Sequence, residues 1–181
     1  MGRTDLSPWR AAAWPVVLAV VTVAGSLAAS CLMPFTALAA IAAATLPPGR
    51  AALAVIGAWA ANQAIGFGLL GYPHTGQALG QGASLLAAAL LAQQVARAVG
   101  VATGGVLRLC AGFVAGFVAY EALLLAAARV TGGLDTFTPA IVAQVAVSDA
   151  LWFAVLLLAS LTLQRAAPGL APHRPLSPRL A

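Results

Sequence analysis

The chain has 181 residues, of which 62% are hydrophobic and only 7% charged, and its mean hydropathy is +0.97. A soluble domain carries about a quarter of its residues as charged side chains, so an ordinary soluble fold is excluded and an integral membrane protein is indicated. The net charge of +5 comes from nine arginines, no lysine and four acids, Asp5, Glu121, Asp135 and Asp149; arginines scattered singly do not make a nucleic-acid-binding face.

The apolar run from Ala11 to Ala29 is longer than the roughly 7–15 residues of a signal-peptide core. It is read as a retained first spanning helix, although Ser26 to Ala28 has the small-residue character of a cleavage site. With about 20 apolar residues needed to cross a bilayer, six segments emerge: Ala11–Ser30, Pro34–Pro47, Ala51–Gly71, Gln77–Val99, Gly104–Val130 and Pro139–Gln164. The second is short, and is expected to lie partly outside the bilayer core, to tilt little or to be a broken element. The connections are rich in Pro and Gly and too short for a second domain. The expected organisation is an all-α bundle of six transmembrane helices over 1–165, followed by a Pro-rich, disordered cytoplasmic tail over 166–181 that contains a solvated His173. Cys31 and Cys110 sit in separate apolar segments, without metal-motif spacing, and are read as small core residues.

Cytoplasmic loops retain positive charge. With the N-terminus inside, Arg3, Arg10, Arg50, Arg97, Arg165, Arg174 and Arg179 share the cytoplasmic side. Arg108 can snorkel back to that side, and Arg129 alone falls outside, beside Asp135. The expectation is therefore a multi-pass protein of a bacterial-type inner (plasma) membrane with both termini in the cytoplasm.

The polar residues inside the apolar segments are the candidate site. Asn62 and Gln63 stand side by side in the third segment, the chain turns at Tyr72-Pro73-His74, and Gln77 and Gln81 open the fourth. Glu121 in the fifth segment and Gln144, Ser148 and Asp149 in the sixth fall in the same, outer half of the membrane at about 1.5 Å per residue. Helical spacing gives each segment one stripe, Trp59/Asn62/Gln63/Gly66, Gln77/Gln81/Ser84, Phe113/Phe117/Glu121 and Val145/Ser148/Asp149/Trp152. Facing one another, these stripes would form an outward-opening pocket with Trp59 and Trp152 as apolar walls.

Each polar residue also has a plainer role. Asn and Gln can join helices, at about 0.6 kcal/mol per hydrogen bond, and Gln93 and Gln94 are assigned that role. An acid near the bilayer centre costs about 2.5–3.5 kcal/mol on insertion scales, which favours function for Glu121 and Asp149. Two acids suit a cationic or hydrogen-bonding ligand, a vitamin with a positive ring or a divalent cobalt or nickel ion. His74, at the outer mouth, reads either as an interfacial turn residue or as one ligand to a metal on its way in.

No Walker A loop, dinucleotide-binding glycine turn, HExxH or CxxC motif is present, and no catalytic residues or cofactor are expected. The function expected is capture of a small water-soluble nutrient; the alternative is a non-transporting subunit that anchors or assembles a larger membrane complex.

The run Met33-Pro34-Phe35-Thr36-Ala37-Leu38 continuing to Pro47-Pro48-Gly49-Arg50-Ala51-Ala52-Leu53, with six short helices and no ATP-binding motif, resembles the substrate-binding S component of energy-coupling factor (ECF) transporters. The resemblance implies two ATPase partners and a membrane coupling subunit, contacted through an Ala-x-x-x-Ala pattern that Ala24 and Ala28 would match. It also implies loops after the first, third and fifth helices that close over the substrate.

Overall fold

A computed structural model describes residues 13–21, 33–100 and 106–166. The described residues are helical, with no strand among them. In order they form α1 (13–21), α2 (Phe35–Thr45), α3 (Pro48–Gly68), α4 (Gly76–Gly100), α5 (Val106–Thr131), a 3-10 turn (Leu134–Thr136) and α6 (Pro139–Ala166). Four of these, α3 to α6, are long and apolar enough to cross a membrane. Ala24, Ala28, Cys31 and the tail from 167 onward lie outside the described residues.

The short second segment is the centre of the molecule rather than a peripheral element. Every residue of α2 from Phe35 to Thr45 is buried, and α2 packs against all four long helices. Its sequence, FTALAAIAAAT, explains this: alanine is a strong helix former and small enough to let neighbouring backbones approach. Eleven residues rise about 16 Å, roughly half of a 30 Å hydrocarbon core, so α2 is a half-length helix whose N-terminus stands in mid-bundle.

Local chemistry sets its limits. Leu46, before Pro47, takes the extended conformation that a following proline imposes. Pro48 then occupies the first turn of α3, where a missing N–H costs nothing. At the C-terminal end of α2, Trp14 Nε1 donates to Thr45 Oγ1 (3.0 Å) and Arg97 Nη2 to the Leu46 carbonyl (3.1 Å). A cation there suits the negative end of the helix dipole. At the N-terminal end no side chain of α2 itself caps the helix.

The connections 69–75 and 132–138 share one end of the bundle, called here the connection end. Thr75 Oγ1 accepts the Ala78 N–H (3.2 Å) and Thr138 Oγ1 the Ile141 N–H (3.3 Å), N-capping α4 and α6. After α5 two consecutive residues, Gly132 and Gly133, have φ of 87° and 99°, which only glycine adopts without strain. They reverse the chain into the 3-10 turn.

The long helices are spaced unequally. α4 and α5 pack along their lengths, and a Cβ on Gly116 would lie 3.0 Å from the Ala92 carbonyl oxygen. α5 and α6 meet little: Phe113 and Phe153 stack with centroids 4.6 Å apart, and toward the connection end the two helices separate.

Candidate functional site

The gap between α5 and α6 is a cavity of about 240 Å³. Asn62 from α3, Tyr120 and Glu121 from α5 and Asp149 from α6 supply its polar groups, and Phe35 and Phe137 stand among its apolar walls. At 1.5 Å per residue Asn62, Glu121 and Asp149 lie about 9–15 Å from the connection end. Three residues marked as candidates in the sequence thus converge on one space although they come from three helices.

Asp149 is only 3% exposed. Its carboxyl oxygen Oδ2 accepts from the Thr36 hydroxyl, and the Thr36 backbone N–H also faces the carboxyl group. α6 thereby caps α2 from across the bundle, placing an acid where unsatisfied N–H groups and a positive dipole end meet. Glu121 is half-buried on the opposite wall and forms no hydrogen bond or ion pair with any other residue described. Tyr120 is 5% exposed, yet its hydroxyl likewise has no partner among the described residues, and the Asn62 amide has none there either. Buried polar groups are ordinarily hydrogen-bonded. Tyr120 is buried and Glu121 and Asn62 half-buried, so three polar groups without a partner among the described residues mark this single space as a place for something polar to bind.

A second cavity, of about 260 Å³, lies between α4 and α5 beneath the 132–138 connection. It takes Gln81 from the polar stripe of α4, with Ser84, Thr131 and Thr136 around it. The three hydroxyls donate to the carbonyls of Gly80, Ala127 and Gly133, at 2.8, 3.1 and 2.7 Å.

The remaining candidates line neither cavity. Trp59 Nε1 donates to the Gly82 carbonyl (2.7 Å), and a Cβ on Gly82 would lie 2.7 Å from Gln63 Oε1; both side chains clasp α3 to α4. Gln77 lies against Gly132, its Nε2 3.1 Å from where a Cβ would stand. His74 is exposed, its ring tilted on Phe67 at 5.1 Å, in a turn folded back on α3 by the Tyr72 N–H to Gly66 carbonyl bond (3.0 Å). Trp152 packs against the apolar core around α2. Gln94 is exposed, whereas Gln93 is fully buried with neither amide atom partnered among the described residues. Cys110 is exposed rather than a core residue.

Sequence reasoning missed Thr36 and Tyr120. Thr36 sits in an uninterrupted buried helix, where spacing reveals no polar face. Tyr120 neighbours Glu121, and that adjacency to an intramembrane acid was the available signal.

The fold and site define an all-helical protein of the multi-pass membrane type, with a polar cavity set against a half-length central helix. No family model, curated protein or solved structure matches the chain.

Proposed function

We propose that the chain captures a small organic cation from water in the cavity between α5 and α6. The observation that carries this reading is the grouping of Glu121, Tyr120 and Asn62, all without a partner among the described residues, beside Asp149 in one apolar-walled space. Ligand sites are typically apolar concavities with a few convergent polar groups, and a volume near 240 Å³ falls below the range of about 300–1,000 Å³ usual for drug-sized ligands.

Charge selects the ligand. Asp149 is committed to the N-terminus of α2, which leaves Glu121 as the acid available to a guest, and Phe35, Tyr120 and Phe137 line the same cavity. Cations are attracted to such faces as well as to the carboxyl group. Cobalt and nickel bind well to imidazole and thiolate; among the described residues no group of three or more His, Cys, Asp or Glu could hold a metal, and the cavity walls carry neither His nor Cys. An ammonium or a positively charged heteroaromatic ring is favoured over the metal.

Orientation follows from the same geometry. Arg50, Arg97, Arg108 and Arg165 lie near the ends of their helices opposite the connection end. Under the positive-inside rule this supports an orientation with the connections and the cavity toward the outside of a bacterial-type plasma membrane and both termini in the cytoplasm. A solute-capturing role of this kind, in a chain with no ATP-binding motif, is consistent with the resemblance to ECF transporter S components, whose ATPase and coupling partners would drive uptake.

The test is native mass spectrometry of the protein released gently from detergent. A small cation retained by the wild type and lost in both Glu121→Gln and Asn62→Ala supports capture. Retention that is unchanged in both variants overturns it. The second reading, an assembly subunit, draws on α6: it is the least buried of the four long helices, and Val147, Leu151, Val155 and Leu158 form an exposed stripe. A co-purifying membrane subunit in the same spectrum would favour it.

A further inference from the structure

The two cavities share Leu85, Leu124, Thr136 and Phe137 as lining residues. The residues that line both stand between the two cavities, with Leu85 on α4, Leu124 on α5 and the other two on the 132–138 connection. We propose that the cavities are two halves of one elongated site: a head site beside Glu121 for a positive charge, and an arm site beside Gln81 for a neutral extension of the same molecule. This rests on the cation-capture reading.

The chemistry of the two halves differs in the way such a ligand requires. The head site holds both acids, whereas the arm site holds no charged residue. The Ser84, Thr131 and Thr136 hydroxyls donate their protons to backbone carbonyls, so Gln81, which forms no hydrogen bond among the described residues, is the side chain left to donate to the arm. The remaining wall is Leu, Ala, Gly and Phe137, suited to methylenes. Leucine side chains and a loop threonine and phenylalanine can turn aside by rotamer change, whereas a helix backbone between the cavities could not. A bare metal ion or a compact amine would fill the head site alone. The geometry therefore selects a cation bearing a flexible or flat arm with a hydrogen-bonding group some distance from the charge.

Binding of tetramethylammonium and of n-pentyltrimethylammonium to the full chain in lipid nanodiscs, measured by calorimetry, separates the possibilities. The wild type is expected to bind the pentyl compound roughly tenfold or more tightly than tetramethylammonium, since several methylenes leave water. Ala127→Leu, which fills the arm site from α5, is expected to remove that advantage while leaving tetramethylammonium binding unchanged, which also shows that the variant is folded. Ser84→Leu fills the same space from α4 and supplies the same comparison. A wild type that binds both probes equally, or an advantage that survives both filling variants, overturns the bipartite site and leaves cation capture standing. If neither probe binds, or Glu121→Gln changes neither affinity, the capture reading fails and the bipartite site with it.

Discussion

The Thr36 hydroxyl at the start of α2 donates to the Asp149 carboxyl group in the middle of α6. With Arg97 on the Leu46 carbonyl at the other end, the central half-helix has an acid at its positive pole and a base at its negative pole. Neither partner belongs to α2 or to its chain neighbours, so these two bonds hold α4 and α6 in register with the core.

Thr36→Val removes the hydroxyl and leaves a buried acid with one donor fewer. Leaving such a group short of a partner costs about 1–3 kcal/mol. Thr36→Ser, which retains the hydroxyl, is expected to stay within about 1 kcal/mol of wild type, as the loss is one buried methyl-sized group. Equilibrium unfolding in detergent, followed by tryptophan fluorescence, measures both; equal losses in the two variants would show that the methyl group and not the hydrogen bond matters.

Gly82 and Gly116 have different neighbours and should respond differently to alanine. A Cβ on Gly116 meets the Ala92 carbonyl oxygen, part of a helix backbone, whereas on Gly82 it meets the far end of the Gln63 side chain. Gly116→Ala is expected to cost about 1–3 kcal/mol, the usual range for overpacking. Gly82→Ala should cost less because Gln63 can swing away. Thermal melts of the two single variants rank them, and a Gly82→Ala loss as large as that of Gly116→Ala contradicts the assignment.

Gln93 is fully buried, and neither amide atom has a partner among the described residues. Burying an amide without hydrogen bonds costs about 1–3 kcal/mol by mutational measures. Gln93→Met, of similar shape and length, is expected to raise stability by an amount of that order. A fall in the melting temperature would instead mean that the amide has a partner in the working protein.

Asn62 and Gln63 are neighbours in sequence with opposite surroundings: Asn62 lines the cavity, whereas Gln63 lies against Gly82 of α4. In a background with Cys31 and Cys110 replaced by alanine, Asn62→Cys should react with a small charged thiol reagent added from outside the cell. Gln63→Cys should react far more slowly. Equal labelling would place both in the helix interface or both in the cavity, and labelling of Asn62→Cys only from the cytoplasmic side would reverse the proposed orientation.

Much of the layout was legible from pattern alone. Length, apolar content and Pro/Gly punctuation placed α3 to α6 within a few residues of their ends, because a bilayer-length helix leaves little freedom in where it starts and stops. Glu121 and Asp149 stood out because an acid has no reason to be in hydrocarbon unless something compensates it. The stripe argument assigned Asn62 and Gln63 to one face, whereas Asn62 lines the cavity and Gln63 lies against Gly82. It could not say that one would meet a cavity and the other a glycine of α4.

Composition and periodicity thus determined on their own that this is an all-helical chain with membrane-length helices, and which polar residues those helices had to accommodate. Tertiary structure alone decided that the shortest segment is the core. Burial of α2 depends on four helices leaving a half-length slot, a property of their mutual packing that no single segment encodes. It also decided that Asp149 caps α2 while Glu121 has no partner among the described residues: both are acids in apolar helices, and only the position of a helix N-terminus in space distinguishes them.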